Sequence, residues 1–167
     1  MTQRSWKGRG WMAGVMALSV CLAVLTGDAQ SSGKEPQKKF VNPDGLYKPT
    51  TYTHVVSVEG GRTVFIAGQV AFNAKGEVVG KGDLRAQATQ VYENLRTALA
   101  AAGATPADIV KANTYVVNLN PEALNVIREV RSKYFPTQNP PASTLAGVTS
   151  LANPDLLIEV EVIAVVK

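Results

Sequence analysis

Residues 83–103 read DLRAQATQVYENLRTALAAAG, and the fold is decided here. Leu84, Ala88, Val91, Leu95, Leu99 and Ala102 recur at spacings of three and four, which on a 3.6-residue turn draws one apolar stripe. The spacing predicts an amphipathic helix over Asp83–Ala102. Asp83 supplies a carboxylate for the free N–H groups of the first turn, and Gly103 ends the helix in the left-handed conformation that a Cβ disfavours. A helix with one apolar face needs a layer to pack on.

The flanks supply that layer as strands. Upstream, Tyr52–Val58 is rich in Thr, Val and Tyr, and Glu59-Gly60-Gly61 turns the chain into Arg62–Phe72 (RTVFIAGQVAF). Asn73-Ala74-Lys75-Gly76 then makes a hairpin loop into Glu77-Val78-Val79. Gly68 within the second strand marks a bulge or a close approach to the backbone. Downstream, Val110–Asn118 is a strand. Asn120 and Pro121 open a second helix as cap and first residue, with Leu124, Ile127, Val130 and Tyr134 inward and Pro136 ending it. Ala142–Leu151 and Leu156–Val166 close the chain. The order β-β-β-α-β-α-β-β predicts an α+β fold, one mixed sheet with two helices on one face. In the last strand Ile158, Val160, Val162 and Ala164 alternate with Leu157, Glu159, Glu161 and Ile163, so neither sheet face is wholly polar. Two helices cover one face, and a partner subunit is the expected cover of the other.

The 167 residues fit one domain, and 46% hydrophobic against 18% charged residues excludes a disordered chain. The net charge of +4 splits evenly, because Arg4, Lys7 and Arg9 against Asp28 leave a surplus of two before residue 30. A body this close to neutral lacks the positive field of a dedicated nucleic-acid binder. Cys21 is the only cysteine and His54 the only histidine. An intramolecular disulfide, a thiolate nucleophile in the body and a four-ligand structural zinc site are therefore excluded. No G-x-S-x-G elbow is present to serve a serine triad.

Met1–Arg9 is basic, Trp11–Thr26 (WMAGVMALSVCLAVLT) is uncharged and mostly apolar, and Gly27-Asp28-Ala29 offers small residues to a signal peptidase. Residues 1–29 are expected to be a signal peptide cleaved after Ala29, exporting the protein to the periplasm or medium. A membrane anchor through residues 11–26 is the alternative, although that run falls short of the ~20 residues a span needs. Val20 sits where a lipobox wants Gly, Ala or Ser, which disfavours lipidation of Cys21. Residues 30–41 (QSSGKEPQKKFV) read as a polar linker and residues 42–167 as the domain.

The stretches FIAGQVAFNAKGEVVGKGDLRAQATQVYENLRTALAAAG (65–103), DIVKANTYVVNLN (108–120), KYF (133–135), PPAST (140–144) and IEVEVIAVV (158–166) together resemble the RidA/YjgF/UK114 family, also known as the L-PSP endoribonuclease family. The resemblance runs from about Asn42 to Val166. It implies a chorismate-mutase-like subunit and a homotrimer with a barrel-like core and three inter-subunit clefts. Characterised members hydrolyse reactive enamines and imines, such as 2-aminoacrylate, to 2-keto acids and ammonia, without metal or organic cofactor. Residue by residue, Tyr52 matches a cleft-lining aromatic, and Gly68 with Gln69 matches the glycine-containing strand that approaches the ligand. Asn94 matches the asparagine of the first helix, Tyr115 an aromatic of the fourth strand, and Glu159 the glutamate assigned to water activation.

Ser143 departs from the pattern: deaminating members read Pro-Ala-Arg where this chain reads Pro141-Ala142-Ser143. A guanidinium holds a carboxylate by two parallel charged hydrogen bonds, and a serine hydroxyl supplies no charge. The loss is worth roughly 2–5 kcal/mol in a desolvated cleft. Lys48 and Arg62, in the first-strand region, are the candidate replacement cations. Plainer readings stand beside these. Glu159 and Glu161 face the same way and repel, so at least one needs a cation or solvent. His54 lies two residues from Tyr52 and shares its strand face, as a cleft acid/base or donor or as a surface histidine. Tyr52 and Tyr115 double as core or interface aromatics, and Asn94 as a bridge between backbone groups. No basic cluster and no second histidine support RNA cleavage. Three functions stay open: enamine/imine deaminase, a non-catalytic metabolite-binding trimer that lost the activity with the change at Ser143, and a holdase-like scaffold.

Overall fold

A computed structural model describes residues 35–167, so the leader and the first part of the linker lie outside the described residues. Helix α1 spans Leu84–Ala101, and the Asp83 carboxylate accepts from the N–H groups of Arg85 and Ala86 at 2.9 and 3.1 Å. Gly103 follows at φ +71°, the left-handed stop its position predicts. Four strands make the main sheet: β3 (Arg62–Gln69), β4 (Ile109–Val117), β5 (Ala142–Val148) and β6 (Ile158–Val166), in the order β3-β6-β4-β5. β4 and β5 are parallel and the other pairs antiparallel, so the sheet is mixed. The parallel pair needs a crossover, and α2 (Pro121–Arg131) provides it beside α1.

One sheet face carries the core. Ile158, Val160, Val162 and Ala164 of β6 and Ala112 and Val116 of β4 are buried with Val91, Leu95, Leu99, Ile127 and Val130 of the helices. The other face has no helix, and Phe65 of β3 stands 76% exposed on it. The α+β architecture expected from the sequence is the one observed.

Its first strands differ from the expectation. Gln37–Val41 of the expected linker forms a strand, β1, paired antiparallel with β2 (Val55–Glu59) in a two-stranded ladder separate from the main sheet. Its polar sequence gives no apolar period. What anchors it is distant in the chain: the Lys38 ammonium lies 3.0 Å from the Asp108 carboxylate and donates to the Ala107 carbonyl. Tyr52–His54 stays out of β2 because Thr53 is tied elsewhere, its N–H to the Pro141 carbonyl and its hydroxyl to that of Pro140 at 2.6 Å. Glu77–Val79 contributes a single bridge, Phe72 to Val78, because the Asn73 side chain accepts from Lys75 and Glu77 N–H and closes the loop at once. α2 ends at Arg131, before Pro136, and Tyr134 leaves the helix to stack on Tyr92 with ring centroids 5.3 Å apart.

Gln87, fully buried in α1, uses both ends of its amide. It donates to the carbonyls of Gly80 (3.2 Å) and Asp155 (2.7 Å) and accepts from the N–H of Leu157 (2.8 Å). Gln87→Leu is expected to leave these backbone groups unpaired in the core and to lower the unfolding free energy by about 2–4 kcal/mol, read by denaturant titration. At the edge, burial pushes the Asp108 carboxyl up, and Lys38 and Thr105 outweigh it to hold the group below its ordinary value of 3.8. A depressed carboxyl contributes stability above that value and loses it as pH falls through the lower folded value. Lys38→Met should therefore flatten the acid limb of a stability-versus-pH curve below about pH 4.

Candidate functional site

The candidate residues are built on β3, β6, β5 and α2, and they divide between the two faces of the sheet. On the open face, β3 gains one residue against β6: Ile66 pairs with Val162, but Gln69 pairs with Val160. This is a bulge at Ala67-Gly68, of the kind that re-aims a strand beside a site. A Cβ on Gly68 would overlap the Glu159 carboxylate, whose carboxyl carbon lies 2.7 Å from where that atom would be. The glycine is what lets the Glu159 carboxylate lie against the β3 backbone. Gly68 is thus both the bulge and the close approach that the sequence suggests.

The two acids of β6 are handled differently. Glu161 accepts from the Asn113 amide at 2.6 Å and the Tyr115 hydroxyl at 3.2 Å. Among the described residues no donor reaches the Glu159 carboxylate, although Tyr115 is its cross-strand partner. Desolvation, and then the charges of Glu161 and Glu159, push the Tyr115 hydroxyl above its ordinary range. Lys111, on the same face, turns to the Thr144 hydroxyl at 2.8 Å. A hollow of about 370 Å³ along this face is bordered by Phe65, Ala67, Lys111, Asn113 and Glu161. Gln69 only closes a local bond to the Ala67 carbonyl.

Ser143 pairs in register with Ala112, a helix-side residue, whereas Glu159 pairs with Tyr115. The two therefore face opposite sides of the sheet, and one subunit does not bring them together. Ser143 opens onto a groove of about 310 Å³ between α2 and the β5 edge, bordered by Tyr52, Leu124, Arg128, Arg131 and Leu145. Arg131 is the residue that sequence reasoning missed. Its guanidinium donates to the Ser143 hydroxyl at 3.1 Å and the Thr51 carbonyl at 2.7 Å, and lies 4.5 Å from the centre of the Phe135 ring. Burial pushes Arg131 below its ordinary value. The signal was present in α2, where Leu124, Arg128 and Arg131 follow at four and three along one side of the helix.

The expected replacement cations are elsewhere. Lys48 pairs with Asp44 at the surface and Arg62 donates to the Ala102 carbonyl. Asn94 donates both amide hydrogens to backbone, to Val70 and Phe72 at 2.9 Å, and so fixes the exit of β3. His54 packs edge-on against Tyr52 with centroids 5.3 Å apart. Its Nε2 lies 2.7 Å from the Tyr47 carbonyl, which only accepts, so Nε2 carries a proton there. Among the described residues no helix is long and apolar enough to cross a membrane.

Comparison with known proteins places the sequence and the fold in one family. The family model described as Endoribonuclease L-PSP matches residues 45–166. The crystal structure of the Yersinia pestis protein YyfB, of unknown function and from the conserved Rid protein family, is 45% identical with a TM-score of 0.73, covering 77% of this chain and 98% of that one. A RutC family protein of Pyrococcus horikoshii is 38% identical over 109 residues, 65% of this chain and 82% of its own. A 2-iminobutanoate/2-iminopropanoate deaminase of Dermatophagoides farinae is 31% identical over 111 residues, 66% of this chain and 84% of its own. By matched span and by fold, the chain belongs to the RidA/YjgF family, the family of the Endoribonuclease L-PSP model.

Proposed function

We propose that this protein is a homotrimeric enamine/imine deaminase, exported on its leader, with its reacting cleft between subunits. The observation that carries the reading is the Glu159 carboxylate, seated against Gly68 and without a donor among the described residues. A carboxylate in that condition is available to a water molecule, whereas Glu161 is occupied by Asn113 and Tyr115. Glu159 accepts a proton as water adds to the C=N carbon, and returns it to the nitrogen. The hydroxyl of the adduct then gives up its proton to the nitrogen as the C–N bond breaks, so that ammonia leaves and the carbon becomes a carbonyl. Two further observations support an inter-subunit cleft. Ser143 and Glu159 face opposite sides of the sheet, so a cleft holding both draws them from two copies. The uncovered face with its exposed Phe65 provides the surface for those copies to meet. The deaminase of Dermatophagoides farinae is a relative with the activity in its name.

The second reading, a trimer that binds a small metabolite without turnover, is favoured by serine at position 143 where deaminating members carry arginine. Ammonia and keto-acid release from freshly generated 2-aminoacrylate decides between them. The expected outcome is turnover that falls by roughly 10²-fold or more in Glu159→Gln, with the circular dichroism spectrum unaltered. An unchanged rate in that variant overturns the assignment of Glu159, and a silent wild type that gains activity in Ser143→Arg supports the binding reading. Phe65→Glu, which places a charge on the uncovered face, should convert the trimer to a monomer by sedimentation velocity.

A further inference from the structure

The groove between α2 and the β5 edge holds a cation whose partner is missing. Arg131 is half-buried, and among the described residues it forms no ion pair; neither does Arg128, one turn before it on the same wall. A guanidinium withdrawn from water without a counter-charge is costly, and the charges near it do not relieve that cost: among the described residues the one titratable hydroxyl beside it is that of buried Tyr92, which burial itself pushes up to about 12. The group is nonetheless fixed. Bonds to the Thr51 carbonyl and Ser143 hydroxyl hold its two ends, and the Phe135 ring lies against its face. Those bonds use two of its five N–H donors and leave three for a ligand. Ser143 is small enough to accept from the guanidinium while leaving the groove open, which a long side chain at that position would not.

We propose that Arg131, assisted by Arg128, is the carboxylate anchor of this protein, supplied from α2 in place of a cation on β5, and that the groove takes small 2-oxo and 2-imino monocarboxylates. The planar fork of a guanidinium held at both ends suits a planar carboxylate better than a tetrahedral anion. The proposal rests on the deaminase reading only in naming the acid's second carbon as imino or oxo. Binding of the 2-oxo product is measured without turnover, so failure of the anchor and failure of the chemistry are distinguishable.

Titration calorimetry of the purified protein with pyruvate tests it, alongside pyruvamide, which lacks the charge, and inorganic phosphate. Saturable pyruvate binding is expected, with pyruvamide and phosphate each at least about 10-fold weaker. Arg131→Gln should weaken pyruvate by about 30-fold or more. That variant also releases Thr51 and Ser143, so a second pair keeps the test independent of its folding. Leu145, 38% exposed on the groove wall, takes no part in those bonds. Leu145→Asp should weaken pyruvate several-fold more than Leu145→Asn, because only the first adds a negative charge. Absence of pyruvate binding, equal binding of pyruvamide, a preference for phosphate, unaltered affinity in folded Arg131→Gln, or equal effects of the two Leu145 variants would each overturn the proposal.

Discussion

The register of β6 governs everything on this sheet, and the buried amide of Gln87 sets it. Three hydrogen bonds tie one turn of α1 to the Gly80 turn before it and to Asp155 and Leu157 just ahead of β6. Because side chains alternate along a strand, a slip of one residue would send Glu159 and Glu161 into the core and bring Ile158, Val160 and Val162 out. The amide thus acts on the chemistry at a distance: it touches no candidate site residue, yet it fixes which carboxylates face outward. It also explains why a polar residue occupies the apolar stripe of the helix that organises the fold.

Two carboxylates, Glu159 and Glu161, stand on one face of β6. The structure separates them by partner rather than by distance. Asn113 and Tyr115 neutralise much of the cost of Glu161, and the bulge at Ala67-Gly68 gives Glu159 a backbone surface to lie against. The opposite sheet face repeats the theme with the sign reversed, where Arg131 is fixed by a hydroxyl, a carbonyl and an aromatic ring rather than by an acid. Neutral dipoles hold Glu161 on one side and Arg131 on the other, and among the described residues neither is spent on an ion pair.

What could be read from the sequence was what depends on neighbours along the chain. The α1 stripe, the Asp83 cap, the Gly103 stop and the glycine in β3 each rest on a local rule, and each is where it was expected. The parts that were not legible depend on contacts across long separations. β1 has no apolar period and forms through Lys38 and Asp108, seventy positions apart. Arg131 gains its partners, Thr51 and Ser143, from segments outside its own helix. The site residues divided the same way. Gly68 and Glu159 meet only because β3 and β6 pair across most of the chain, while Asn94 bridges backbone groups at the β3 exit, one of the two roles its sequence context offered.

The space shared by Gly68 and Glu159 makes these two positions a single heritable unit. A methyl group at 68 is incompatible with a carboxylate in its present place at 159, although nothing in the chain between them records the dependence. Drift at either site is therefore conditional on the other. A lineage that shortens residue 159 frees position 68 to accept larger side chains, and once one is fixed a glutamate returning at 159 has to take a different rotamer, away from the β3 backbone.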